Sequence, residues 1–329
     1  MPVNLKKYGW RDSFERILKE QKEKLPNTFP GRVISVHRTS YEVISEKGIM
    51  FAEIDGNRLK DKDVFSKPVV GDWVLIFAIE NSKDKYLIEY IFPRYGVLKR
   101  ERVRERDTQI IASNVDLVLI VFAIDQSINF SLLDRMLIQL LQDNLPCVLV
   151  FNKTDLMEHK NEEQNIREKI THNIPLVFTS TKTKEGIQAL KKFFKEQETI
   201  AIIGASGVGK SSLANLLSLG ENSQKVGLVN MLTKEGRHTT TSRRLILVQN
   251  GSLVIDMPGI RSFALRKEDY KEDIDKLFFQ VESFAQYCKF RNCHHKNESG
   301  CAVKKAIEEG KLDIKILEQY QRTKEKLRK

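Results

Sequence analysis

Long apolar runs are missing from this chain: the longest, residues 117–124, falls well short of the ~20 residues that a bilayer-spanning helix needs. The opening Met1-Pro2-Val3-Asn4-Leu5-Lys6 also lacks the apolar core of a secretion signal, so a soluble cytoplasmic protein with no membrane partner is expected. Cysteine is scarce. Of 4 cysteines, 3 crowd between 288 and 301, which excludes a disulfide framework and, in a reducing compartment, points to metal. No internal repeat or low-complexity stretch is present, which sets aside solenoid and disordered architectures. Acidic residues are the remaining shortfall: 44 Asp and Glu against 55 Lys and Arg leave a formal charge of +11. Such a charge implies a polyanionic partner, nucleic acid first and an acidic membrane surface second. What is present is ample apolar material, 41% of 329 residues, enough for packed cores in more than one domain.

Residues 1–29 are charged and helix-prone, an N-terminal extension that Pro26 and Pro30 bring to an end. Five short runs rich in β-branched and aromatic residues follow, at 32–36, 41–45, 49–54, 70–76 and 86–91. With turn residues such as Glu46-Lys47-Gly48 and Asp55-Gly56-Asn57 between them, they predict a small β-barrel over 30–93, an OB-fold first and another barrel used for packing second. Residues 94–109 read as a basic linker suited to touching nucleic acid. From 110 to 264, apolar runs at 117–124, 147–151, 176–179, 199–203, 245–248 and 253–255 alternate with helical patterns such as 131–142 and 186–194. That alternation predicts an α/β domain with a mostly parallel sheet, with Cys147 as a core residue. Residues 265–329 form a third, small, helical and charged domain around the remaining cysteines.

The chemistry lies in short motifs. Gly204, Ala205, Ser206, Gly207, Val208, Gly209, Lys210 and Ser211 match GxxxxGK[ST] between an apolar run and a helix that Ser212 continues. Strand, glycine loop and helix N-terminus together place backbone N–H groups around a β-phosphate, with Lys210 on the β and γ oxygens and Ser211 on Mg²⁺. Asn152, Lys153, Thr154 and Asp155 match NKxD at the end of another run. The Asp155 carboxylate can accept from both the ring N–H and the amine of guanine, whereas adenine offers an acceptor where a donor is needed, so GTP is expected over ATP. Ser180 and Thr181, in Thr179-Ser180-Thr181-Lys182, read as a weaker guanine-supporting loop or an ordinary polar turn. Asp256-Met257-Pro258-Gly259 matches DxxG, with Asp256 reaching Mg²⁺ through water and Gly259 sensing the γ-phosphate. Ile260 follows, where many GTPases place a water-orienting Gln, so hydrolysis needs another group or a partner. In Gly236-Arg237-His238-Thr239-Thr240-Thr241, Thr240 is the candidate to complete the Mg²⁺ shell. His238 is the candidate to orient or deprotonate the attacking water, with a solvent-exposed or RNA-contacting histidine as its alternative. The base-reading motif comes last in an ordinary GTPase. Here it comes first, which reads as a circularly permuted chain.

Cys288, Cys293, His295 and Cys301 have the spacing C-x₄-C-x-H-x₅-C, a closed set for one structural zinc ion, with His294 as an alternative ligand.

In combination these residues resemble the circularly permuted, ribosome small subunit-dependent GTPase A family, also called RsgA or YjeQ. The likeness spans nearly the whole chain: Val-Gly-Asp-Trp-Val at 70–74, Ala112-Ser113-Asn114-Val115-Asp116, the motif order, 236–241, and Cys-Lys-Phe-Arg-Asn-Cys-His-His at 288–295. It implies an OB-fold, a permuted G domain and a zinc-binding domain. It further implies GTP hydrolysis stimulated by the 30S ribosomal subunit, with 16S rRNA contact and a role in late 30S maturation. Three departures stand out: Ser113 before Asn114, Ser180-Thr181 where the family often has Ser-Ala, and Glu298-Ser299-Gly300-Cys301 where it often has Glu-Pro-Gly-Cys. The lost proline is expected to loosen the zinc loop without removing a ligand. The expectation is a monomer that docks on the subunit through its barrel, basic segment and zinc domain, binds GTP or GDP, and leaves after hydrolysis. The rivals are an RNA-binding scaffold with a hydrolytically idle G domain and an ATP-dependent P-loop protein, against which Asp155 argues.

Overall fold

A computed structural model of the chain describes residues 2–54, 67–79, 85–101, 108–159, 161–170, 174–218, 243–248, 250–257 and 270–327. The N-terminal segment is not a loose arm. A 3₁₀ turn over Leu5–Tyr8, capped by the Asn4 side chain, leads through Gly9 in the left-handed region (φ 81°) into α1, Asp12–Lys24. A Cβ at Gly9 would lie 2.8 Å from Arg32 Nη1 and 2.9 Å from the Gln197 carbonyl, so this crossing needs glycine. Trp10 and Phe14 then stack into Trp73 and Phe92, the two tryptophans edge to face with centroids 4.8 Å apart. All four rings are buried, and covering one phenylalanine in this way contributes about 1.5–3 kcal/mol.

The barrel strands are β1 (Thr28–Val36), β2 (Tyr41–Ser45), β3 (Gly48–Glu53), β4 (Trp73–Ala78) and β5 (Tyr86–Ile91). They close in the order β1-β2-β3-β5-β4-β1, with only β3 and β5 parallel. Val33, Val43, Met50, Val74, Ile76 and Ile88 fill the interior from alternating positions. The segment read as a linker contains a strand instead. β6 (Leu98–Glu101) pairs antiparallel with β7 (Thr108–Ala112), because Leu98 and Ile111 are buried anchors in the main core of the next unit.

That unit contains β8 (Leu117–Ala123), α2 (Phe130–Gln142), β9 (Cys147–Asn152), α3 (Glu162–Lys169), β10 (Leu176–Thr179) and α4 (Ile187–Lys191). β11 (Thr199–Gly204), α5 (Lys210–Ser218), β12 (Arg244–Leu247) and β13 (Leu253–Asp256) complete it. Its strands lie in the order β10-β9-β8-β11-β13-β12, and every pairing is parallel except β12 with β13. One face packs against α2 and the β6–β7 hairpin, the other against α4 and α5. β12 also pairs with β1 at Ser35 and Arg244, so barrel and α/β unit share one continuous sheet of 11 strands.

The C-terminal part is α6 (Tyr270–Leu277), α7 (Phe279–Ala285), α8 (Ala302–Glu308) and α9 (Ile314–Leu327). It docks on α2, whose Ile138 enters the helical core, and the buried Asp134 carboxylate accepts from Gln319 Nε2 (3.0 Å) and Thr323 Oγ1 (2.8 Å) of α9. Among the described residues, no helix is long and apolar enough to cross a membrane.

Candidate nucleotide site and metal centre

The carboxyl ends of β8, β9, β10, β11 and β13 converge on one edge of the sheet, the place where ligands gather in open α/β folds. β11 runs into Gly204 (φ 150°), then Gly207 (φ 81°) and Gly209 (φ 94°), before Lys210 opens α5. A Cβ on Gly209 would overlap the Asn152 amide, whereas one on Gly207 would meet only Gln126 Nε2 at 3.4 Å. Ala205 and Ser206 are exposed at the crown of the loop, Val208 is buried beneath it, and Ser212 faces solvent in the first turn of α5. Lys210 is buried, and its ammonium donates to the Ala205 carbonyl at 2.6 Å.

Asn152, fully buried at the end of β9, holds the arrangement together. Its Nδ2 donates to the Val208 carbonyl (2.9 Å), and its Oδ1 accepts from Thr179 Oγ1 (3.2 Å) and the Thr181 amide (3.3 Å). Ser180 donates to Asp155 Oδ1 at 2.6 Å and accepts from the amides of Lys182 and Thr183, so the second loop is folded around the first. Lys153 adopts the left-handed conformation (φ 66°) and pairs with Asp125 (2.8 Å), and Thr154 Oγ1 is buried without a partner. Asp125 and Gln126 belong to the site and were missed by sequence reasoning; their signal is position, immediately after the apolar run that forms β8.

Asp256, at the end of β13, is hydrogen bonded by Ser211 and faces Lys210. Burial raises its pKa, opposed by the Ser211 hydroxyl and the lysine charge, and burial lowers that of Lys210, opposed by Asp256. Asp256 Oδ1 remains buried with no hydrogen-bond partner. An orphaned carboxylate oxygen beside a serine hydroxyl is a donor set that a hard divalent cation fits. His238, Thr240 and Gly259 lie outside the described residues.

Cys288, Cys293, His295 and Cys301 come together, their ligand atoms all within 4.8 Å of one another. Cys288 Sγ lies 3.9 Å from Cys301 Sγ and 3.6 Å from His295 Nδ1, which is 3.4 Å from Cys301 Sγ. Bonds of ~2.3 Å to sulfur and ~2.05 Å to nitrogen at the tetrahedral angle require ~3.8 Å between sulfurs and ~3.5 Å from sulfur to nitrogen, so the cluster fits one tetrahedral ion. His294 stands outside the cluster, its amide donating to Glu298 Oε1 at 2.8 Å. The Glu298 carboxylate also accepts from the amides of Lys296 (2.8 Å) and Asn297 (3.0 Å), which holds the loop where the proline is missing.

The family model described as RsgA GTPase matches residues 91–266. The chain belongs to the RsgA family. It is 34% identical to the small ribosomal subunit biogenesis GTPase RsgA 1 of Bacteroides thetaiotaomicron, over 96% of this chain and 88% of that protein. It is also 34% identical to RsgA 2 of Vibrio vulnificus, over 97% of this chain and 86% of that one. Among solved structures, YjeQ from Thermotoga maritima shares 28% identity and superimposes with a TM-score of 0.62, covering 91% of this chain and 98% of its own. YloQ, a circularly permuted GTPase, shares 25% identity with a TM-score of 0.61, covering 92% and 95%. Family membership makes the chain a GTP-hydrolysing enzyme, and the inverted order of its motifs is that of a permuted GTPase.

Proposed function

We propose that this GTPase binds the small ribosomal subunit during late maturation, is stimulated by it, and leaves after hydrolysis. The observation that carries the reading is the meeting at Asn152: a residue early in the permuted order grips the phosphate loop encoded 56 positions later and orders the loop beside Asp155. In this reading Asn152, Lys153, Thr154, Asp155, Ser180 and Thr181 hold guanine, with Ser180 occupying Asp155 Oδ1 so that the carboxylate is aimed at the base edge. The amides from Gly204 to Ser212 and the Lys210 ammonium hold the phosphates, and Asp256 and Gly259 follow the γ-phosphate. Mg²⁺, held by Ser211, Thr240 and, through water, Asp256, would supply charge neutralisation at the β and γ oxygens. His238 orients the attacking water, since Ile260 cannot.

The barrel is an OB-fold that contacts 16S rRNA, and the cluster at 288–301 binds one structural zinc ion. The chain acts as a cytoplasmic monomer. Support comes from the charge of +11, from strand order 1-2-3-5-4-1, and from relatives named for small-subunit biogenesis. The test is turnover of GTP and ATP side by side, with and without 30S subunits. GTP preference with subunit stimulation is expected; turnover no faster than that of Lys210→Ala would favour an idle G domain on an RNA-binding scaffold, ATP preference would favour an ATP-dependent P-loop protein, and absent stimulation would remove the partner-completed site.

A further inference from the structure

The four residues of the base loop are pinned unequally. Asn152 is fixed by its place in β9 and by the Val208 carbonyl, and Asp155 Oδ1 accepts from Ser180 at 2.6 Å. Thr154 Oγ1 is buried without a partner and holds nothing. Lys153 stands at φ 66° and ψ 37°, a conformation that a lysine keeps only where its surroundings enforce it. Its carbonyl opens the 3₁₀ turn Thr154–Leu156 that carries Asp155, accepting from the Leu156 amide at 2.9 Å. The enforcement comes from the neighbouring strand. Just beyond β8 the Ile124 amide donates to the Asn152 carbonyl (3.0 Å), and Asp125 Oδ2 accepts from Lys153 Nζ (2.8 Å). Residues 152 and 153 are thus tied to 124 and 125 by one backbone and one side-chain bond.

We propose that Asp125 is a positioning residue for guanine selectivity: by holding the Lys153 ammonium it keeps residue 153 in the left-handed turn and so aims the Asp155 carboxylate at the base edge. Two observations favour aim over stability as the purpose of the pair. The side chains of Lys153 and Asp125 are 27% and 36% exposed, a setting in which an ion pair adds little to folding. Asp155 Oδ2, the oxygen that Ser180 leaves open, lies 3.9 Å from the exposed Lys182 ammonium, a loose contact that a base can displace. The direction of that oxygen therefore rests on the backbone turn that Lys153 opens. Guanine offers two donors to this carboxylate, its ring N–H and its amine, and a two-point match demands closer alignment than a single bond. A relaxed turn therefore loses recognition of the amine first.

The inference rests on the reading of Asp155 as the residue that recognises guanine, and its test separates the two. Calorimetric titration of the full chain compares GDP with IDP, which lacks the exocyclic amine, for wild type, Asp125→Asn and a remote control. The control, Lys195→Gln, breaks an exposed ion pair with Glu198 (3.5 Å) ahead of β11 and should match wild type. Wild type is expected to bind GDP about 30-fold more tightly than IDP. Asp125→Asn should weaken GDP about 10-fold but IDP no more than about 3-fold, so that selectivity contracts at least ~3-fold, while its melting temperature stays within about 2 °C of wild type. In turnover the same variant should raise KM for GTP and leave kcat unchanged. Lys153→Gly supplies an independent arm, because glycine reaches φ 66° unaided and has no ammonium. Adding Asp125→Asn to it should change neither affinity by more than about twofold. An unchanged selectivity ratio, a melting temperature that falls together with both affinities, or an undiminished effect of Asp125→Asn beside Lys153→Gly would each overturn the role of Asp125 alone. Equal binding of GDP and IDP by the wild type would overturn the reading of Asp155, and this inference with it.

Discussion

Asn152 Nδ2 donates to the carbonyl of Val208 across 2.9 Å, and this bond joins β9 to the phosphate loop. Asn152→Ala leaves that buried carbonyl, the Thr179 hydroxyl and the Thr181 amide without their partner. The expected outcome is a loss of about 1–3 kcal/mol in urea unfolding and at least about 10-fold weaker GDP binding by fluorescence titration. Unchanged GDP affinity would remove Asn152 from the site.

Two loop glycines separate backbone strain from close approach. Both Gly207 (φ 81°) and Gly209 (φ 94°) disfavour a side chain, but only at Gly209 would a Cβ collide with Asn152. Gly209→Ala should abolish nucleotide binding, whereas Gly207→Ala, paying only about 1–2 kcal/mol of left-handed strain, should retain it in weakened form. Calorimetric titration with GDP compares them directly, and equal losses would refute the distinction.

Arg32 joins the N-terminal segment, the barrel and the start of β11 through one buried cation. Arg32→Ala strands several buried acceptors, so the urea midpoint should fall by an amount equivalent to about 3 kcal/mol or more. A shift under about 1 kcal/mol would mean that the junction is held by the aromatic cluster instead.

Glu298 carries a pH signature. The His294 amide, with the other loop amides, holds its carboxyl at about 2, below the usual 4.5. A depressed acid contributes stability that is complete above the unfolded value and disappears as the pH falls towards the folded one. The melting temperature of Glu298→Gln should therefore lie below wild type near neutrality, and the gap should close between 4.5 and about 2. A gap independent of pH would show that shape, not charge, holds the loop.

Chelation should release one zinc ion per chain, measured by elemental analysis, and melt the 288–301 region while GDP binding persists. An ion held by these four side chains would contribute its binding free energy to the folding of that region. Retained helical-domain structure after complete metal removal would argue against a structural role.

The sequence announces what local pattern encodes. Strands Tyr41–Ser45 and Tyr86–Ile91 and the ligand cluster follow from alternation and spacing, and so does the loop that opens at Gly204. The basic segment hid β6 because the six cations of residues 94–106 mask the buried anchor Leu98. Packing of α1 depended on Trp10 and Phe14 finding partners more than 50 positions away, which no local window can see. The same holds for Lys153, which pairs with Asp125 across neighbouring strands.

The pairing of Ser35 with Arg244 makes a swivel between barrel and catalytic unit expensive, since any hinge there must break a strand seam. A partner that pressed on the barrel would therefore load β12 and, through its antiparallel neighbour β13, the strand that ends at Asp256.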